Sequence, residues 1–328
     1  PLIAGIVANG VYNDGLIDLF GPGSLESPFH RAGDPYSAVL KSGGELNVQI
    51  GESRFEGAGL VEVDASVDVQ IDDGALKLAG TLTGGKLDEQ WALDLQGDLT
   101  LLDDFYLTTG AMSATLKAGG EVTADFQSGE LVEIALDGVG VDVDIDVAPA
   151  LETLKLNGSV QGKYHGGKID LDGSLSLVEP FTYKRGKVTA TLKPGGSVGL
   201  KVEQSQFKSA ELTGIEVEAD IDIDGQPLSL EGAVSGKVHE DYTVDLVGSI
   251  SVEEDFTKQF GDSVTATLKQ GGSVDLNVER SEFQWAELKG LTIEVTVDVD
   301  GQDLSLEGSV GGKVHTVYKI DLDGSLSL

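Results

Sequence analysis

Cysteine is absent from the 328 residues, which excludes a disulfide scaffold and any thiolate metal site. Basic residues are scarce: 22 Lys and Arg stand against 56 Asp and Glu, for a net charge of -34. A chain so acidic has no basic face with which to follow a nucleic-acid backbone. No apolar run approaches the ~18 residues of a membrane-spanning helix, so no membrane span is expected. The apolar opening, Pro1 to Val11, has neither the basic start nor the length of a signal peptide. Aromatic residues make up only 6%, while Gly numbers 45 and hydrophobic residues reach 40%. The core must therefore be built from Val, Leu and Ile.

What the sequence does have is an internal period. Leu40-Lys-Ser-Gly-Gly44 recurs at Leu116, Leu192 and Leu268, each 76 residues on. Gly21, Gly97, Gly173, Gly248 and Gly324 keep nearly the same step, as do Phe29, Phe105, Phe181 and Phe256. Leu192–Gly232 and Leu268–Gly308 agree at 25 of 41 positions, too many for chance alternation of residue types. By phase the copies run 1–75, 76–153, 154–227 and 228–303, and a partial fifth occupies 304–328.

Within a copy the hydrophobic period is two, the signature of strands. Leu291, Ile293, Val295, Val297 and Val299 alternate with Thr292, Glu294, Thr296, Asp298 and Asp300. Turn-forming stretches such as Lys269-Gln-Gly-Gly272 and Asp300-Gly-Gln-Asp303 separate the runs. The expectation is an all-β chain of tandem repeats, each with about five antiparallel strands. Gly173 and Gly308 fall on the apolar face of their strands, where glycine marks a bend or a close approach. Each recurring at its own phase from copy to copy, such glycines predict a crease along one elongated sheet or flattened sandwich rod.

Several patterns imitate catalytic or binding motifs. Asp220, Asp222 and Asp224, with Gly225 and Glu231, match the spacing of a calcium loop. The intervening Ile221 and Ile223 continue the strand pattern from Ile215, so an outward carboxylate row is the expected arrangement. Calcium is the one cofactor this row would serve, by bridging the three carboxylates. Gly195-Gly-Ser-Val-Gly199 spells a nucleophile elbow but sits between two strands instead of before a helix. His165, His239 and His315 lie about one copy apart, too far to share a ligand. Lys41, Lys117, Lys193 and Lys269 form a column expected to pair with neighbouring carboxylates. Nothing here assembles a catalytic group, and no enzyme activity is expected.

The segments Leu171-Asp-Gly-Ser-Leu-Ser-Leu177, Leu246-Val-Gly-Ser-Ile-Ser-Val252 and Leu322-Asp-Gly-Ser-Leu-Ser-Leu328 carry a resemblance. In strand alternation and glycine placement the chain resembles the tandem β-repeat regions of bacterial surface, adhesin and filament proteins. It is also similar to the repeating β-groove of AsmA-like envelope proteins. The first resemblance implies a non-enzymatic structural or adhesive rod, outside the cell or at its surface, whose partner is itself. The second implies a periplasmic trough that carries acyl chains. Under the first, no small-molecule ligand is expected. Assembly would pair a C-terminal strand bearing Ile320, Leu322, Leu326 and Leu328 with the Leu2, Ile3, Ile6 and Val7 strand of a neighbour.

Overall fold

A computed structural model describes residues 4–33, 35–71, 74–90, 92–146, 153–185, 187–315 and 320–327. The chain is all-β: 27 strands and no helix occur among the described residues. Hence no helix there is long and apolar enough to cross a membrane.

Residues 1–75 hold β1 (Ala4–Ile6), β2 (Asn9–Asn13), β3 (Leu16–Leu25), β4 (Phe29–Ala32), β5 (Tyr36–Leu40), β6 (Gly43–Gly51) and β7 (Arg54–Ile71). Next come β8 (Gly74–Asp88), β9 (Leu93–Leu101), β10 (Phe105–Thr109), β11 (Met112–Leu116), β12 (Glu121–Gln127) and β13 (Glu130–Asp146). They are followed by β14 (Thr153–His165), β15 (Lys168–Leu177), β16 (Phe181–Arg185), β17 (Val188–Leu192), β18 (Gly195–Glu203) and β19 (Gln206–Ile223). The next six are β20 (Gln226–His239), β21 (Val244–Val252), β22 (Phe256–Phe260), β23 (Val264–Leu268), β24 (Gly271–Glu279) and β25 (Glu282–Val299). The chain closes with β26 (Gln302–His315) and β27 (Ile320–Ser327).

Six strands, not the expected five, fall in each 76-residue step after the first. Short strands raise the count. β10 and β11 have five residues each and close into a hairpin in which Phe105 faces Leu116 and Thr109 faces Met112. Gly110 makes that tight turn possible, with φ at 59°.

Contacts divide the chain into two units. One comprises Pro1–Val143, Gly158–Gly173 and Lys201–Phe207; the other Asp144–Asn157, Ser174–Leu200 and Lys208–Leu328. In the first unit an antiparallel ladder runs β3–β6–β7–β8–β9–β12, and β5 joins β7 further along its length. In the second, the ladder runs β20–β21–β24–β25–β26–β27, with β23 against the far half of β25.

The 18-residue strands thus change partner midway. Glu282–Lys289 pairs with β24, and Ile293–Val297 pairs with β23. Gly290, at φ 58°, sits at the switch, where the ladder to β26 slips between Leu288 and Leu291. A residue with a β-carbon would be strained there, so glycine permits the kink that redirects the strand. The apolar-face glycines do allow a close approach. A Cβ on Gly248 would lie 2.5 Å from the Ala233 carbonyl oxygen, and one on Gly97 3.0 Å from Leu82 Cα.

The first unit has a filled interior. Val63, Ala65, Val67 and Val69 alternate along β7 and are wholly buried. Tyr36 on β5 meets Phe126 on β12 edge to face, ring centroids 4.9 Å apart. The ladder neighbours of β5 are β4 and β7, and those of β12 are β9 and β13. The two rings therefore meet although their strands are not neighbours in the ladder, with β7, β8 and β9 lying between them. The Tyr36 hydroxyl also donates to the Gly129 carbonyl, in the β12–β13 turn.

Candidate functional site

The most regular polar feature is a turn fastened to a strand. Gln204 and Ser205, in the β18–β19 turn, adopt φ of 50° and 61°, a region that non-glycine residues seldom occupy. Two side chains hold them there. The Gln204 N–H donates to Asp170 Oδ1 at 2.6 Å, and Ser205 Oγ accepts from the Ile169 N–H at 3.1 Å. The Ser205 N–H in turn donates to the Ile169 carbonyl at 2.7 Å.

The same fastening recurs elsewhere. Glu52 N–H donates to Asp18 Oδ1 at 2.7 Å, and Arg280 N–H to Asp245 Oδ1 at 2.8 Å. Ser53 accepts from Ile17 and Ser281 from Val244, each at 3.0 Å. In the remaining turn Ser128 donates to Asp94, and Gly129 takes the place of the serine. Sequence reading did not find these clasps. Their signal was available: Asp18, Asp94, Asp170 and Asp245 keep the copy period, and so do Ser53, Ser205 and Ser281.

Three of the four lysines in the column, Lys117, Lys193 and Lys269, pair with carboxylates. Lys193 reaches Glu218 and Glu231, both at 2.6 Å; Lys269 reaches Glu294 at 2.8 Å and Asp255 at 3.3 Å. Lys117 lies 2.7 Å from Asp142 and 3.5 Å from Asp104. Hydrogen bonds to Glu218 and then Glu231 hold the Lys193 ammonium well above its ordinary pKa. Such exposed pairs contribute little singly.

Asp220 and Asp222 stand on β19 and Asp224 in the turn after it. Asp220 accepts from the Ser229 hydroxyl at 2.7 Å, and Asp222 from the Gly225 N–H at 2.5 Å. Asp224 lies 3.0 Å from Lys258 and 3.8 Å from Lys187, and the Lys258 contact foremost lowers its pKa. These three carboxylates thus serve a strand and its turn. Among the described residues no cluster of three or more His, Asp or Glu side chains could hold a metal ion. His239 and His315 each bond an aspartate six residues on, Asp245 at 2.7 Å and Asp321 at 3.1 Å.

Of the expected assembly residues, Ile6 is half-buried on β1 and pairs with Gly23, while Val7 is 82% exposed. Ile320, Leu322 and Leu326 belong to β27, facing Val314, Gly312 and Gly308 in the ladder to β26. Leu2, Ile3 and Leu328 lie outside the described residues.

An apolar row distinguishes the two units. In the first, Tyr36, Val69 and Leu76 stand side by side across β5, β7 and β8, all buried. The second unit has two rows at the same phase: Val188, Ile221 and Leu228 across β17, β19 and β20, and Phe260, Val264, Val297 and Leu304 across β22, β23, β25 and β26. Phe260 is 56% exposed and Leu304 42%, with the two valines half-buried between them. Nothing polar lies in the row from Phe260 to Leu304. A shallow cleft of ≈ 230 Å³, lined by Thr83, Gly84, Gly97, Asp98 and Thr123, is the contrasting feature of the first unit. It offers one carboxylate and two hydroxyls, without a base, nucleophile and oxyanion donor arranged for chemistry. No protein-family model, curated protein or solved structure matches the chain.

Proposed function

We propose that the chain is a non-enzymatic structural or adhesive repeat protein, a segment of a rod or filament working at the cell surface or outside the cell. The observation that carries this reading is the closure of Tyr36 on Phe126. The protein fills its own interior there with Tyr, Phe, Val and Leu, leaving the work to length, stiffness and surface. Periodic clasps stiffen such a chain by tying each turn to a strand 34 to 37 residues upstream. The acidic exterior keeps separate copies soluble and apart at low salt. Lysine bridges such as Lys193 between Glu218 and Glu231 offset part of the self-repulsion. Electron microscopy of the purified chain tests the reading: extended particles of uniform width support it, and compact globules overturn it.

A second reading, a trough for acyl chains, draws support from one feature, the open row Phe260, Val264, Val297 and Leu304. Native mass spectrometry separates the two. Lipid that co-purifies in stoichiometric amount favours the trough, and lipid-free protein favours the rod.

A further inference from the structure

We propose that the cleft at Thr83, Asp98 and Thr123 binds a primary ammonium group, carried by a free amine or by the lysine side chain of a partner. The proposal gives the surface of one copy a ligand. It does not rest on the rod reading, since a compact particle would carry the same cleft.

One inserted residue makes the cleft. β8 takes five steps from Gly80 to Gly85, whereas β20 takes four from Gly232 to Gly236 and β26 four from Gly308 to Gly312. The facing strands keep a single spacing, four steps from Leu99 to Leu95, from Ile250 to Leu246 and from Leu326 to Leu322. The β20–β21 and β26–β27 ladders pass through this stretch in unbroken register, and the β8–β9 ladder slips between Leu82 and Gly84. Thr83 is the surplus residue of a β-bulge, a device that re-aims side chains and recurs beside active sites. Beside it a Cβ on Gly84 would meet nothing within 4 Å, and the Gly84 φ lies outside the left-handed region. Glycine there relieves no strain; it leaves the cleft open.

The polar groups around the cleft are acceptors. Asp98 stands at the phase filled by Pro22, Ser174, Ser249 and Ser325, so its carboxylate is particular to the second copy. Thr123 Oγ1 donates to Asp98 Oδ1 at 3.3 Å. Thr81, which faces Asp98 in the ladder, donates to Asp64 Oδ1 at 2.7 Å, and Thr100 donates to the Ala79 carbonyl at 3.2 Å. With their hydrogens committed, these hydroxyls have only lone pairs left to offer. The Asp98 carboxylate makes no ion pair among the described residues. Such a site suits an ammonium, which brings N–H donors and no acceptor. A sugar diol would need donors in return, and calcium, which takes about six to eight oxygen ligands, finds one carboxylate.

Another copy of the repeat shows what such a pair holds. In the fourth copy Ser249 and Asp275 face each other at the phases of Asp98 and Thr123, with hydroxyl and carboxylate exchanged. That pair has an ammonium: Lys289 Nζ lies 2.6 Å from Asp275 Oδ2. Lys289 first and the Ser249 hydroxyl second lower the Asp275 pKa. At the phase of Lys289 the second copy has Asp137, which faces Glu121 as Lys289 faces Ser273. The second copy thus keeps the hydroxyl–carboxylate pair without its lysine, and its ammonium would come from outside. A net charge of -34 draws cations toward this surface. The cleft, ≈ 230 Å³, is smaller than the ~300 Å³ at which drug-sized ligands begin to fit, and it suits an ammonium with a short carbon stem. Exposed charge pairs are weak, so a Kd of about 1 mM or above is expected.

Amide NMR spectra of the whole chain in about 0.15 M salt, where attraction between distant exposed charges is screened, provide the test. The probes are Nα-acetyl-lysine amide for a protein lysine, 1,4-diaminobutane for a free amine, and Nα-acetyl-arginine amide for contrast. Saturable shifts at Thr83, Gly84, Asp98 and Thr123 are expected with an ammonium probe. The planar guanidinium should bind about three-fold or more weakly, because it prefers a two-oxygen fork. Binding of the lysine amide supports the proposal with a protein partner, and binding of the diamine alone supports it with a free amine. Asp98→Ser, the residue of three other copies, should weaken binding about ten-fold. Deleting Thr83 restores the four-step spacing, and Gly84→Gln puts a side chain in the cleft. Both keep the charge at -34, and each should weaken binding about five-fold, with thermal melts confirming which variant is folded. Undiminished binding in the folded charge-neutral variants would assign the shifts to general attraction by an acidic surface and overturn the cleft. Equal binding of the arginine probe, calcium shifting these resonances where neither amine does, or spectra that no probe changes would each overturn it too.

Discussion

The backbone N–H of Arg280 donates to the carboxylate of Asp245, 35 residues earlier in the chain, at 2.8 Å, and His239 Nε2 lies 2.7 Å from the other oxygen of the same carboxylate. The Arg280 N–H and then His239 hold the Asp245 carboxyl below the usual carboxylate range. Asp104 and Asp255 are lowered in the same way, chiefly by the N–H groups of Ala118 and Gln270. A carboxyl lowered on folding stabilises the fold above its unfolded pKa of ~3.9 and loses that effect as pH falls through the folded value. The melting temperature should accordingly hold down to about pH 5 and fall steeply below about pH 4. Asp245→Asn should flatten the acid limb. Thermal melts across pH decide this, and an acid limb unchanged in the variant would remove Asp245 from the account.

Ser205 tests the clasp against backbone strain. Replacing it with Gly relieves a φ of 61° by about 1 kcal/mol but removes the bond from Ile169 N–H, worth about 1 kcal/mol. The two nearly cancel, so Ser205→Gly should change stability by less than about 0.5 kcal/mol. The β12–β13 turn already contains this solution, with Gly129 at φ 76°. Ser205→Val loses the bond and worsens the strain, for a cost of about 2–3 kcal/mol. Urea denaturation of both variants gives the comparison directly.

Tyr36 links β5 to β12 and its turn through Phe126 and Gly129, and should be among the most sensitive positions of the first unit. Tyr36→Ala opens a cavity against Phe126 and should cost about 3–5 kcal/mol. Tyr36→Phe keeps the ring and leaves the Gly129 carbonyl without this donor, for about 1–2 kcal/mol. Equal losses in the two variants would mean that the hydroxyl, not the ring, closes the interior.

The alternation from Leu291 to Val299 was enough to read β25 as a strand and to place its apolar side. It also put Asp220 and Asp222 on a strand instead of in a calcium loop, because Ile221 and Ile223 share their segment. The partner switch at Gly290 was hidden, since alternation is local and says nothing about which neighbour each half of a strand meets. The Asp170–Gln204 clasp was hidden for a related reason. It joins residues 34 apart, and only comparison between copies exposes the shared period. Burial was least legible of all. Tyr36 and Val264 share a phase and an apolar character, yet coverage depends on the opposing face, which no single strand encodes.

Lys193 should show how far the acidic surface depends on its bridges. Lys193→Met leaves Glu218 and Glu231 facing each other without the ammonium between them. The variant should melt below wild type at low ionic strength. At about 1 M salt, where the screening length shrinks to about 3 Å, the difference should nearly vanish. A gap that persists in high salt would assign the loss to packing of the lysine stem instead.

Arg31 offers the opposite experiment, a substitution that should stabilise. It stands on β4 opposite Ala38, which is buried, and its Nε is buried without a hydrogen-bond partner. One step later the same phase is filled by Leu107, which faces buried Ala114 and is itself buried. A desolvated, unpaired donor costs about 1–3 kcal/mol, whereas leucine at that phase costs nothing polar and adds apolar contact. Arg31→Leu should therefore raise stability by about 1 kcal/mol, the gain being reduced by whatever packing the arginine stem supplies. Arg31→Ala removes the donor without filling the space, so it should fall short of Arg31→Leu by about 1–2 kcal/mol. Melts of the two variants beside wild type measure both differences. If Arg31→Leu is instead destabilising, the guanidinium is held by its other nitrogens strongly enough to outweigh one unsatisfied N–H.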